Sequence, residues 1–327
     1  MTANSSMRRG ALGVAAAVLL TPAVAFAQAW PTKGTIKAII PFPPGSTTDA
    51  IGRIVMDEVA RQIGQTIITE NRPGAASTTG INAAAKADPD GYTLLIASSS
   101  FTVVPHTFKA LPYNPEADFA PIMPLANMAN VTVVNSSRGY KTAKDLVDAG
   151  IKKAGGMNYA SVGVGSATHL TAERFRLSAK FPAVHVAFKG TAEALTEILA
   201  DRMDFYCSPI TAIVPLVNEG KVTALAVSTA TRSAALPNVP TSVEAGYPDS
   251  GYDFWVGALM PAKTPQPIVD RMNAEIRKAL DKPDLAKKLA DLGADQLRMS
   301  PAEFAAMIKR EIKQNEAVVT AAGIKPN

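Results

Sequence analysis

Four loop segments carry the residue types that hold a small solute. The first is Phe42-Pro43-Pro44-Gly45-Ser46-Thr47-Thr48-Asp49, a stiff glycine-containing turn with three hydroxyls leading into a helix. Free backbone N–H groups at a helix start, joined by hydroxyls, form an anion site without a full positive charge. One hydroxyl is enough to cap the helix, so the others are expected to face ligand, and Asp49 is expected to favour the helix dipole. The second is Ser161-Val162-Gly163-Val164-Gly165-Ser166-Ala167-Thr168-His169, where Gly163 and Gly165 permit close backbone approach. Lys189-Gly190-Thr191 offers a cation beside a third helix start, and Ser98-Ser99-Ser100 is a polar patch after a strand. The segment from Asp204 to Pro209 reads as a strand end near a cleft, which adds Asp204 to the candidate ligand contacts.

Catalytic readings fare less well. The second loop lacks the third glycine of G-x-G-x-x-G, Thr168 standing in its place, and no G-x-S-x-G elbow occurs. His106, His169 and His185 show no H-E-x-x-H spacing and no cysteine partners, which argues against zinc. A secreted hydrolase using Ser166 or Ser46 would need a positioned His–Asp pair that the sequence does not supply. The chain therefore reads as a binding protein, with no enzymatic activity, no metal and no cofactor expected. Cys207 is the single cysteine, so no internal disulfide forms, and it is expected to be a buried, inert thiol.

These loops need strand–helix units to hold them. Apolar runs alternate with helix-periodic segments, which predicts a largely parallel α/β sheet. Strands are expected at 36–41, 65–70 and 93–98, with helices between them. Residues 119–135 are apolar but contain Pro121 and Pro124, which disfavours a central strand and suggests an extended crossover. A second series follows, from a helix at Thr142, with Asp145 as capping partner, to a strand at 223–228. Residues 252–259 read as a second crossover-like strand, and helices begin near Pro265, Pro283 and Pro301. Two crossovers imply two lobes and a hinge: 28–125 with 252–327, and 126–251.

The N-terminus reads as a leader. Arg8-Arg9 precede an apolar run from Ala11 to Leu20, and Ala25-Phe26-Ala27 is a cleavage signal, with Ala27-Gln28-Ala29 as an alternative. That run is shorter than the roughly 20 residues of a spanning helix. Residues 1–27 are thus expected to be a signal peptide, and the remaining 300 residues to be periplasmic. Removing Arg8 and Arg9 leaves 31 basic against 28 acidic residues, a net charge of +3 and no nucleic-acid footprint.

Across the mature sequence the chain resembles the Bug-type receptors of tripartite tricarboxylate transporters. The resemblance rests on Trp30-Pro31-Thr32-Lys33, Pro41-Phe42-Pro43-Pro44-Gly45, Glu70-Asn71-Arg72-Pro73-Gly74-Ala75 and Asp90-Gly91-Tyr92-Thr93-Leu94-Leu95. Leu111-Pro112-Tyr113, Asn158-Tyr159-Ala160-Ser161, His169-Leu170, Lys189-Gly190 and Leu236-Pro237-Asn238-Val239-Pro240-Thr241 continue it, with Glu244-Ala245-Gly246 and Trp255. It implies a two-lobed periplasmic binding protein of type II topology (a Venus flytrap), acting as a monomer and passing a small organic acid to membrane permease subunits. A sensor that docks on a membrane signalling protein is the alternative. Ligand contacts carried over by position are residues 42–49, 161–169 and 189–191. Four departures adjoin that cleft: Ser46 and Ala76-Ser77 replace glycines, Ala187-Phe188 replaces Pro-Tyr, and Val104 precedes Pro105 where asparagine is usual. They suggest a less acidic or more apolar ligand.

Overall fold

The computed structural model describes Met1, residues 30–32 and residues 34–326. The expected leader beyond Met1 and both expected cleavage signals lie outside these residues. Among the described residues, no helix is long and apolar enough to cross a membrane.

The first sheet has the order β11-β4-β10-β3-β1-β2, built from β1 (Ile36–Ile40), β2 (Ile67–Asn71), β3 (Thr93–Ser98), β4 (Phe119–Met128), β10 (Phe254–Pro261) and β11 (Ala294–Asp295). β1 pairs in parallel with β2 and β3, while β10 returns antiparallel between β3 and β4. One face is covered by α1 (Thr47–Ile63), α7 (Gln266–Leu280) and α8 (Pro283–Asp291), whose Ile51, Val55, Met272 and Leu285 share one buried core with Ile36 and Ile40. The other face takes α2 (Thr78–Ala85) and α9 (Pro301–Ala321), where Phe304 packs edge-on against Trp255 at 5.1 Å.

The second sheet is β7-β6-β8-β5-β9, from β5 (Asn130–Asn135), β6 (Met157–Ser161), β7 (Ala183–Ala187), β8 (Phe205–Pro209) and β9 (Val222–Val227). Helices α3 (Ala143–Lys152) and α4 (Ala167–Ala179) cover one face, α5 (Thr191–Leu199) and α6 (Ile210–Asn218) the other. The two sheets and their order give the type II, two-lobed binding-protein fold. Local signals act as expected: Thr142 with Asp145, and Ser300 with Glu303, form reciprocal capping boxes.

The segment 119–135 differs from its expectation. It is two strands, and β4 lies fully within the first sheet despite Pro121 and Pro124. The register against β10 skips Leu125 and Ile122, each beside a proline, so bulges absorb the missing donors. β11 reaches only Asn127 and Met128, which leaves the proline-bearing stretch an edge on that side. The chain crosses between sheets at Ala129, and the return precedes Phe254. The expected boundaries at 125/126 and 251/252 fall inside β4 and shortly before β10. Ser228 joins both crossings: its hydroxyl donates to Tyr252 O at 2.6 Å and accepts from Asn130 N at 3.1 Å.

Candidate functional site

The C-terminal ends of β1 and β6 face the region between the lobes, and each is followed by a glycine turn and a helix. Gly45 (φ 78°) and Gly165 (φ 75°) turn the chain in the left-handed region where glycine is favoured. Ser46 and Ser166 then cap α1 and α4, accepting the backbone N–H groups of Asp49 and His169. In both loops the residue four positions after the glycine accepts that glycine's N–H. Asp49 Oδ2 takes Gly45 N at 2.9 Å, and His169 Nδ1 takes Gly165 N at 3.1 Å.

A cavity of about 280 Å³ lies between the lobes. From the first lobe it is lined by Phe42, Ser46, Thr47, Thr48, Ser98, Ser100 and Phe254. From the second come Val162, Ser166, Ala167, Thr168 and Pro209, with Met128, Ala129 and Asn130 at its floor. None of these lining residues is charged, so an anion held here would be met by two helix N-termini and a ring of hydroxyls. The Asn130 amide is fixed by the Thr171 hydroxyl at 2.8 Å. A wider groove of about 440 Å³ lies at the α4–α9 face, beside Leu177, Lys180 and Ala321. It carries no converging helix N-termini.

Ten of the residues in the segments expected from sequence line the cavity: Phe42, Ser46, Thr47, Thr48, Ser98, Ser100, Val162, Ser166, Ala167 and Thr168. Pro44 and Gly45 form the exposed turn before the cap. Asp49 is buried beneath it: Oδ1 accepts Arg53 Nε at 2.8 Å and Asn71 Nδ2 at 2.7 Å. Burial alone would raise this carboxyl, but the Asn71 amide, the Gly45 N–H and the Arg53 guanidinium outweigh it and hold it below the usual range. Ser161 is fully buried and meets His185 Nε2 at 2.5 Å. His169 stacks on His185 with ring centroids 3.8 Å apart, and burial, then the neighbouring His185, pushes its pKa down to about 4.

The remaining residues stand elsewhere. Gly163 and Gly165 shape the second loop without lining this cavity, although Gly165 borders a neighbouring one. Lys189 is exposed, its backbone N–H held by Glu193 Oε2 at 3.0 Å, and Gly190 and Thr191 open α5 outside the lining. Asp204 precedes β8, at the end of the parallel strands opposite the cleft. There it binds Arg138 at 2.6 Å, Lys153 at 2.6 Å and Asn158 N at 2.6 Å. It is a clamp at the far edge of the sheet rather than a residue of the cleft, because a strand's direction decides which end meets the ligand.

Sequence reasoning missed Met128, Ala129, Asn130, Pro209 and Phe254, which reach the cavity only because the two crossings lie side by side. A polar Asn130 inside an apolar run was the available signal. Neither candidate nucleophile is activated: Ser166 Oγ donates to Gly163 O at 2.7 Å, and Ser46 Oγ accepts Asp49 N at 3.2 Å. Cys207 is fully buried, and burial pushes its thiol up to about 12.

Residues 51–324 match the family described as "Tripartite tricarboxylate transporter family receptor". The chain belongs to this family. A relative from Pseudomonas sp. (strain P51), described as a UPF0065 protein in the tcbD-tcbE intergenic region, is 32% identical, with 97% of this chain and 95% of that one aligned. Among solved structures, the periplasmic binding protein BugD is 28% identical with a TM-score of 0.73, covering 90% of this chain and 100% of its own. MatC from Rhodopseudomonas palustris with bound malate is 32% identical with a TM-score of 0.71, covering 87% and 98%. Family and neighbours are solute-binding receptors, and the Bug-type resemblance read from the loops holds.

Proposed function

We propose that this chain is a periplasmic receptor that closes its two lobes on a small carboxylate and delivers it, chemically unchanged, to the permease subunits of a tripartite tricarboxylate-type transporter. The observation that carries the reading is the pair of capped helix N-termini, Ser46–Thr47 and Ser166–Ala167, on opposite walls of one interlobe cavity with no charged lining residue. Such a site holds a carboxylate by N–H dipoles and hydroxyls, with Phe42, Met128, Val162, Pro209 and Phe254 left for an apolar body. The malate bound by MatC supports a carboxylate class. An N-terminal leader matches export to the periplasm.

Thermal unfolding of the purified chain against a panel of small carboxylates tests this. A ligand at 100 times its Kd adds about 2.7 kcal/mol of stability, and the ligand recovered afterwards should be intact. A panel without any shift, from protein first unfolded and refolded to strip bound solute, would count against the carboxylate class. A converted ligand would count against the receptor reading.

A further inference from the structure

A second cavity of about 360 Å³ adjoins the first and shares Phe42, Ser100 and Ser166 with it. Its walls are mainly apolar, with Pro43, Pro73, Val103 and Val104 from the first lobe and Val164 from the second. Ser77 sits at φ 79°, a conformation that favours glycine, and its hydroxyl is buried with no hydrogen-bond partner among the described residues although the residue lines the cavity. A non-glycine residue held in that region is strained, and an unsatisfied buried hydroxyl costs further free energy. Val164 lies between two positive-φ glycines and is 65% exposed, an apolar side chain on the second-lobe loop that lines this compartment. A side-chain atom added at Gly165 would stand 3.5 Å from Thr107 Cγ2, so this loop already approaches the first lobe at the compartment's rim.

Resting on the receptor reading above, we infer that the second cavity is a tail compartment. The solute is an amphiphilic carboxylate: its carboxylate lies in the first cavity between the helix N-termini. Its aromatic or branched apolar body passes Phe42 into the second, and a distal hydroxyl or carbonyl meets Ser77 Oγ. Phe42, Ser100 and Ser166 then form the waist of a single two-chamber site. Val164 supplies the apolar cover from the opposite lobe, which gives its exposure a purpose in the closed form.

Isothermal titration of the whole purified chain with two sets of acids tests this. Succinate and malate fill only the first chamber; 3-phenylpropanoate and 3-(4-hydroxyphenyl)propanoate reach the second. The aryl acids should bind roughly tenfold more tightly or better, from the apolar area they bury. Val164→Asp, a change at an exposed position, should weaken the aryl acids by roughly tenfold while shifting succinate by less than roughly threefold. Ser77→Gly, which suits the backbone there, should remove a roughly three- to tenfold preference for the hydroxylated over the plain aryl acid. If succinate or malate binds at least as tightly as the aryl acids and Val164→Asp changes nothing, the tail compartment is refuted while the receptor reading stands. If neither set binds, both readings fall.

Discussion

Gly165 donates its backbone N–H to His169 Nδ1 at 3.1 Å, as Gly45 donates to the Asp49 carboxylate in the other lobe. The two walls of the cleft thus use one device, a glycine turn pinned by the side chain four residues on. The chemistry of the pin differs. A carboxylate always accepts, whereas an imidazole accepts at Nδ1 only while that nitrogen carries no proton.

The second loop should therefore be acid-sensitive. Burial, then His185, lowers His169 from 6.5 to about 4 in the folded chain. The unfolded chain takes up this proton first, so the stability His169 contributes is full above pH 6.5 and is lost as pH falls towards about 4. By pH 4.5 the loss should be about 2–3 kcal/mol, most of the total that 1.36 kcal/mol per pH unit of linkage allows. His169→Asn, which keeps an acceptor near the Nδ1 position, should flatten this part of the curve. Urea unfolding at pH 7.5 and 4.5 would show it; equal slopes in parent and variant would dismiss the role.

In the first lobe the expected sign is the same and the window lower. Asp49, held below its ordinary value of 3.8, supports the fold above that pH and ceases to do so as pH falls through its lower native value. Asp49→Asn should cost about 1–3 kcal/mol at neutral pH, because an amide nitrogen must then face Gly45 N–H, Asn71 or Arg53. Since the loop it pins lines the cavity, ligand affinity should fall with it. A calorimetric scan of the variant at pH 7, with and without ligand, measures both.

The strand–helix alternation, the caps at Thr142 and Ser300 and the two glycine loops were legible because each is set by local chemistry. Two things were not. Pro121 and Pro124 argued against a strand, but bulges at Ile122 and Leu125 and the two-residue β11 make room for them. Asp204 looked like a cleft residue because Cys207 and Ser208 follow it. The direction of β8 puts its start, not its end, beside Asp204, and that direction is fixed by pairing with β6. Asn130 and Phe254 escaped notice because only long-range pairing of the crossings brings them to the cavity floor and wall.

Thr47 offers a cleaner probe of the site than the caps do. It lines the cavity at the first position of α1, and it is exposed, so its hydroxyl can be removed without emptying a core. Thr47→Val should leave stability within about 0.5 kcal/mol and weaken carboxylate binding by about 0.5–1.5 kcal/mol, the net worth of one hydrogen bond. Ser166→Ala should instead cost about 1 kcal/mol of stability through loss of the α4 cap, besides any loss of affinity. Titration calorimetry paired with chemical unfolding separates the two. Equal affinity in parent and Thr47→Val would mean that this hydroxyl does not meet the ligand.

Near the hinge a buried acid should act in the opposite sense to His169. Glu311 on α9 accepts Trp255 Nε1 at 2.9 Å and Thr102 Oγ1 at 3.2 Å, and burial raises its pKa from 4.5 to about 7. Arg174 from the second lobe moderates the rise without cancelling it. Its own guanidinium is committed to Gly251 O at 2.6 Å and Asn315 Oδ1 at 2.8 Å. Because the folded value is the higher one, Glu311's contribution is full below pH 4.5 and is lost as pH rises through about 7. Glu311→Gln keeps an acceptor for Trp255 and Thr102 but never ionises. It should stabilise the chain by about 1–3 kcal/mol at pH 8 and by much less at pH 5. Urea midpoints of parent and variant at those two pH values decide the matter. A variant less stable than the parent at pH 8 would mean that the attraction of the ionised carboxylate to the Arg174 charge is worth more than its burial costs.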